Sequence, residues 1–131
     1  MDKAKQQIVE TVDAAREDLL ALSKNIHDNP ELGFQEFKAM GFISDTLEKH
    51  GFTVQRDYGG LETSFRADLC GTGEGPTVAF LAEYDALNGI GHGCGHNLIA
   101  TCSVGAFLGL APLMKELPGR ISIIGTPAEE G

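Results

Sequence analysis

Basic side chains are scarce in this sequence. Its 131 residues carry 10 Lys and Arg against 19 Asp and Glu, a formal net charge of -9. Nucleic acid and anionic membrane both need basic surface, so neither is expected as a principal partner. A secretory leader is not expected, because Met1 to Glu10 holds charges and no apolar run. No long uninterrupted membrane span is present either. The longest apolar stretch, Leu98 to Met114, is slightly short and contains Thr101, Ser103, Gly105, Gly109 and Pro112, so it reads as a buried helix. Cysteines are too few and odd in number for a disulfide framework. Cys70, Cys94 and Cys102 are expected as reduced thiols in a cytoplasmic protein. Repeats and low-complexity tracts are missing. What remains is 42% hydrophobic and 22% charged, the composition of a globular chain of ordinary domain size.

Ile8, Val12, Ala15, Leu19, Leu22 and Ile26 recur at steps of four and three, which predicts one long amphipathic helix. Asn29-Pro30 ends it, because the residue before proline avoids helical backbone. A second helix is expected from about Phe34 to His50, burying Phe37, Met40, Ile43 and Leu47 and stopped by Gly51. The period then changes. Phe52 to Arg56, Thr63 to Cys70 and Thr77 to Leu81 read as strands, the last two joined as a hairpin through GTGEGP. A helix over about Asn97 to Leu117 and a strand over Arg120 to Gly125 complete the pattern. This order predicts an α/β fold, a mixed sheet flanked by helices. The chain ends six residues after that strand, which suggests the amino-terminal piece of a longer protein.

Three polar clusters follow apolar segments. AEYDALN places Glu83 and Asp85 after one strand, and GTPAEEG places Glu129 and Glu130 after another. Between them lies GHGCGHN, with His92, Cys94, His96 and Asn97. Ligand sites in open α/β sheets lie at the carboxyl ends of strands. If the two strands are parallel neighbours, all three clusters meet at one edge. In an extended segment, alternate residues share a side, so His92, Cys94 and His96 can face one point. The intervening glycines permit unusual backbone and close ligand approach. Thiolate with imidazole suits zinc or a related divalent ion, with Glu130 a natural third ligand.

Blander readings stand beside this one. The stretch could be a flexible loop, or Cys94 a nucleophilic thiol beside histidine. Glu129-Glu130 alone is usually a solvated pair. His27 and His50 fall at predicted helix ends and receive no function. Cys70 and Cys102 read as structural. GTGEGP lacks the lysine and following helix of a phosphate loop.

Taken together and in order, IHDNPELGFQE, AEYDALNGIGHGCGHN and GTPAEEG resemble metallopeptidase family 20. Its members include aminoacylases, hippurate hydrolases, auxin-conjugate hydrolases and p-aminobenzoyl-glutamate hydrolase. The match runs from about residue 20 to the end, and the central cluster and the EE pair are its specific parts.

The resemblance implies a zinc-exopeptidase-like catalytic domain using two divalent ions, zinc foremost, with manganese and cobalt as alternatives. It implies Cys94, His96 and Glu130 as metal ligands, Glu129 as general base and Asp85 as a site-orienting aspartate. On an extended segment Glu129 and Glu130 would point to opposite sides, one toward water and one toward metal. His92 and Asn97 then support the ligands from behind. Glu83 stands where other branches carry a metal-binding histidine and is expected not to be a ligand. Asn97 and GTPAEE depart from the commoner HxCGHD and QPAEE and look like the p-aminobenzoyl-glutamate hydrolase and dipeptidase subgroup. The implied substrate is a small amide, an N-acyl amino acid or dipeptide, with no residue identified that binds it.

Residues 1–131 are then expected to be the amino-terminal part of the catalytic domain. A lid or dimerisation domain, and further ligands, would lie beyond Gly131, and a homo-oligomer would form through that lid. The piece alone is expected to be inactive. The alternative is a non-enzymatic module binding metal through Cys94 and His96.

Overall fold

The computed structural model describes residues 1–131. Helices α1 (Lys3–Ala14), α2 (Arg16–Asp28) and α3 (Phe37–Lys49) come first. Strands β1 (Gln55–Arg56), β2 (Phe65–Cys70) and β3 (Thr77–Ala82) follow, then α4 (His96–Leu110) and β4 (Arg120–Gly125). Asp2 caps α1, its carboxylate accepting from the Lys5 amide at 2.9 Å.

The single long helix expected from the apolar stripe is two helices. They meet at Ala15, whose backbone leaves the helical region at φ -91, ψ 5. The stripe itself survives, and Ala15, Leu19, Leu22 and Ile26 are all buried. The break lets α1 and α2 each lie along α4, α1 approaching closely at Gly109. A Cβ on that glycine would stand 3.0 Å from Ile8 and Val12 side chains. Helix α3 ends as predicted at Gly51, with φ +93. The Gly51 amide donates to the Glu48 carbonyl and the Phe52 amide to that of Leu47, which is a Schellman closure. Met40, Ile43 and Leu47 are buried as expected. Phe37 is not: it begins the helix and remains half exposed at 50%.

The sheet order is β1-β2-β4-β3. β4 runs antiparallel to β2 and parallel to β3, so the sheet is mixed, as expected. The expected β2-β3 hairpin does not form, because β4 lies between the two strands. Ile121, Ser122 and Ile123 of β4 are all buried, so this strand belongs at the centre, where both edges are paired. GTGEGP wraps the turn before β4 instead of closing a hairpin. Gly71 donates to the Gly119 carbonyl, Gly119 to Gly73, and Arg120 to Pro76. A Cβ at Gly71 would stand 1.9 Å from the Leu117 carbonyl oxygen, so the approach requires glycine.

Helix α4 is the crossover between β3 and β4. It buries Ala100, Val104, Phe107 and Leu108 in one core with Phe65, Ala67, Ile121 and Ile123 of the sheet. It stops at Leu110, short of the expected Leu117, and a 3-10 turn over Ala111–Lys115 containing Pro112 follows. Cys102, read as structural within the apolar helix, is exposed, as is Cys70. Cys102 lies off the face that Ala100, Val104 and Phe107 turn inward.

Candidate metal and catalytic site

The parallel β3-β4 pair brings the three polar clusters to one edge. Two hydrogen bonds lock the strand ends together: the Thr126 amide and hydroxyl both donate to the Ala82 carbonyl, at 2.9 and 3.1 Å. Just beyond β3, Tyr84 is fully buried. Its hydroxyl donates to the Thr63 carbonyl at 2.5 Å, and its ring stacks on Phe65 at 6.1 Å. Burial, with the charges of Glu36 and Asp85 behind it, pushes the Tyr84 phenol far above its ordinary range. Anchoring Tyr84 inward directs its neighbours Glu83 and Asp85 to the opposite side of the extended chain.

His96 opens α4, preceded by Gly95 at φ +77, a left-handed position suited to glycine. Its ring is buried. Nδ1 lies 2.7 Å from the Asp85 carbonyl oxygen and 3.1 Å from the Asp85 carboxylate. The carbonyl contact has the better hydrogen-bond geometry, and the carboxylate oxygen Oδ1 is left without a partner. A carbonyl only accepts, so Nδ1 carries a proton and donates it. Nε2 then faces three carboxylates: Glu83 at 3.2 Å, Glu129 at 3.5 Å and Glu130 at 3.6 Å. Donor atoms of Glu83, His96 and Glu129 all lie within 4.8 Å of one another, a spacing that could hold a metal ion.

The acidic turn is tied down through its main chain. The Glu130 amide donates to Asp85 Oδ2 at 2.9 Å, and the Ala128 amide to Glu36 Oε1 at 2.8 Å. Ala128 takes a left-handed φ of 58. Glu129 and Glu130 therefore do not diverge from an extended segment, as expected from the sequence. They sit in a turn, and both carboxylates approach His96.

The glycine-rich stretch is also not extended. Leu87 and Gly91 exchange backbone hydrogen bonds, and Gly89 and Gly91 have φ of 73 and 79. The chain therefore turns through His92 and Cys94 before α4 starts. Cys94 is exposed. The Glu130 carboxylate beside it, then partial desolvation and the charges of Glu129 and Asp85, raise its thiol above the ordinary value. A nucleophilic cysteine needs the opposite, an electropositive setting that lowers the thiol. His92 lies outside the carboxylate cluster. Both its ring nitrogens are buried without hydrogen bonds, and burial, then the His96 and His27 charges, depress its basicity. Asn97 turns away from the cluster, its Nδ2 donating to Ser23 of α2 at 3.1 Å.

Two contributors are not legible in the sequence. Glu83 reads there as a non-ligand, yet its carboxylate is the nearest of the three to Nε2. Glu36 appears there only as part of a motif, yet it is fully buried and holds the acidic turn. A glutamate in a segment with no other inward polar group gives no periodic signal of burial.

No family model matches the chain. Its fold is similar to part of that of a dinuclear metal-binding peptidase of the M20 family from Bacillus subtilis. The TM-score is 0.80 at 29% identity, covering 90% of this chain and 36% of that one. The chain thus carries a piece of the M20 peptidase catalytic-domain fold. In sequence it is homologous to peptidases and amidohydrolases: it is 40% identical to Xaa-Arg dipeptidase of Mus musculus over 99% of its own length and 33% of that protein. It is 33% identical to a p-aminobenzoyl-glutamate hydrolase polypeptide of Escherichia coli, over 95% of its length and 29% of that protein. The chain therefore spans about a third of the length of the curated relatives it matches.

Proposed function

We propose that the whole protein is a metal-dependent amidohydrolase that cleaves the amide bond of an N-acyl amino acid or small dipeptide. One observation carries the reading. An imidazole faced by three carboxylates lies at the carboxyl edge of parallel strands, in a homologue of dipeptidases and amidohydrolases.

The donor set fits a divalent cation. His96 presents Nε2 because Nδ1 is committed to a carbonyl, the arrangement that orients metal-binding imidazoles. Oxygen donors surround that nitrogen, and a thiol stands beside one of them. The M20 peptidase of similar fold is described as binding two metals. Cys94, His96 and Glu130 are the residues that would hold two divalent ions, with Glu83 a further oxygen donor at the same point. Zinc suits this mixed nitrogen, sulfur and oxygen set, and manganese and cobalt are the alternatives.

Bound divalent metal acidifies water and polarises the scissile carbonyl. The chain's own residues supply the proton movements and the geometry. Glu129, the most exposed carboxylate of the cluster at 47%, takes a proton from the attacking water and passes it to the departing amine. Asp85 holds the His96 ring through its carbonyl and the acidic turn through its carboxylate. The remainder of the protein is proposed to supply further ligands and the lid through which copies associate. These 131 residues alone then turn over little substrate.

Metal analysis and amide-hydrolysis assays on the full-length protein test the reading. Bound divalent metal is expected, with activity lost on chelation and restored by zinc, manganese or cobalt. Glu129→Ala is expected to be inactive, and full activity in that variant removes the base assignment. Robust hydrolysis by the 131 residues alone sinks the proposal that they are insufficient. Stoichiometric zinc binding that survives Glu130→Ala, with no amide hydrolysed, favours a metal-binding module using Cys94 and His96.

A further inference from the structure

We infer that Glu36 is a positioning residue for the acidic site: its buried carboxylate holds the turn that aims Glu129 and Glu130 at His96. The inference rests on the functional reading above and assigns a task to a residue that touches none of the reacting groups.

Glu36 is 0% exposed, and glutamate is rarely buried so completely without a partner that needs it. Its Oε1 accepts the Ala128 amide at 2.8 Å, across 92 positions of chain. Ala128 is the residue immediately before Glu129, and its φ of 58 is unfavourable for a residue with a Cβ. Something must hold the chain in that conformation, and the bond to Glu36 is placed to do so.

Gly33 closes on the same turn from another side. A Cβ built there would stand 2.8 Å from the Ala128 Cβ. The α2-α3 connection also grips the loop after β3, because the Ala86 amide donates to the Glu31 carbonyl at 2.8 Å. The Glu31 side chain in turn accepts from the Lys38 and Ala39 amides, pinning the connection to the start of α3. One segment, residues 31–36, therefore clamps the loops that carry Asp85 on one side and Glu129 and Glu130 on the other. The clamp acts through backbone amides, so it sets where the carboxylates sit without entering the site.

The second carboxylate oxygen, Oε2, is buried with no hydrogen bond. Glu36→Gln therefore keeps the acceptor that matters, and Glu36→Leu removes it at similar volume. Both are made in the full-length protein, with Gly33→Ala as a third variant that presses on the turn. Glu36→Leu is expected to lower kcat by about 10- to 100-fold with KM little changed, because the acidic groups are displaced while the rest of the site stands. Glu36→Gln is expected to retain kcat within a few-fold.

Hydrogen exchange at the Ala128 amide reads the clamp without reference to turnover. It is expected to be slow in wild type and Glu36→Gln and faster in Glu36→Leu. If Glu36→Leu does not fold, Gly33→Ala carries the test and is expected to lower kcat and speed the same exchange. Unchanged Ala128 exchange in folded Glu36→Leu overturns the clamp, as does a Gln variant as impaired as the Leu variant. A wild-type protein that hydrolyses no amide, with Ala128 exchange still governed by residue 36, refutes the functional reading and leaves the clamp standing.

Discussion

The acidic site has two halves in different surroundings. The His96 and Asp85 side chains are 3% and 1% exposed and meet each other through a backbone carbonyl. Glu83, Glu129 and Glu130 are 28%, 47% and 32% exposed and converge on the far side of the same imidazole. The inner half is built into the core, where unpaired polar groups are costly, so its geometry is tied to folding. The outer half is held by its main chain, through the Glu130 and Ala128 amides, while its carboxylates remain in contact with solvent. Such a division suits a site that must bind ions and exchange protons without loosening its frame.

The contrast makes separable predictions. Glu129→Ala should show the largest effect on turnover, a loss of about 10²- to 10⁴-fold as expected for a general base. Its stability should stay within about 0.5 kcal/mol of wild type, since the side chain is half exposed. Steady-state kinetics with urea titration of the same preparations checks both numbers.

Asp85→Ala strikes the inner half and should change both quantities. Catalytic efficiency should fall by about 10- to 100-fold, because the support of the acidic turn is lost. Stability should drop by roughly 1–3 kcal/mol, since the Glu130 amide loses its charged acceptor. A variant altered in activity alone would break the proposed link between this half and folding.

Glu83→Gln discriminates within the outer half. If its oxygen contributes at the His96 nitrogen, zinc affinity measured by competition with a chelating dye should weaken by about tenfold, with little change in melting temperature. Unchanged affinity would return Glu83 to a bystander.

The smallest effect lies away from the site. Asp18 of α2 accepts from Lys49 and His50 at the end of α3, at 2.7 and 2.9 Å. These bonds, Lys49 first, hold its carboxyl below the ordinary 3.8. A folded-state value below the unfolded one stabilises the fold at higher pH, and that contribution disappears as pH falls through the folded value. Urea midpoints of wild type and Asp18→Asn should differ slightly at neutral pH and converge in strong acid. A gap that persists there would mean the effect is not ionic.

Much of the frame was legible in the chain. The strand over Arg120 to Gly125 forms with the predicted bounds, because a short apolar run between Pro118-Gly119 and Thr126-Pro127 has clear stops on both sides. Gly51 ends α3 for a reason any sequence reader can apply. The expected β2-β3 hairpin fails although GTGEGP suits a tight turn locally, because β4, the more deeply buried strand, takes the place beside β2, and burial is decided by how the layers pack rather than by the turn. Cys102 and Phe37 depart from expectation for a related reason. An apolar residue near a helix face or end shows its composition but not which way the neighbouring layer lies.

By itself the sequence determined the helix and strand classes, the stop signals and the three polar clusters, since these rest on local backbone preference and short periodicities. It also determined that the clusters could share an edge, given parallel β3 and β4. Only the tertiary structure decided that β4 takes the central place. Only there do Glu83 and both acidic-turn carboxylates meet one imidazole nitrogen, and only there does Glu36 reach across 92 positions to hold Ala128. These outcomes depend on which surfaces bury one another, and contacts between residues far apart in sequence leave no period to read.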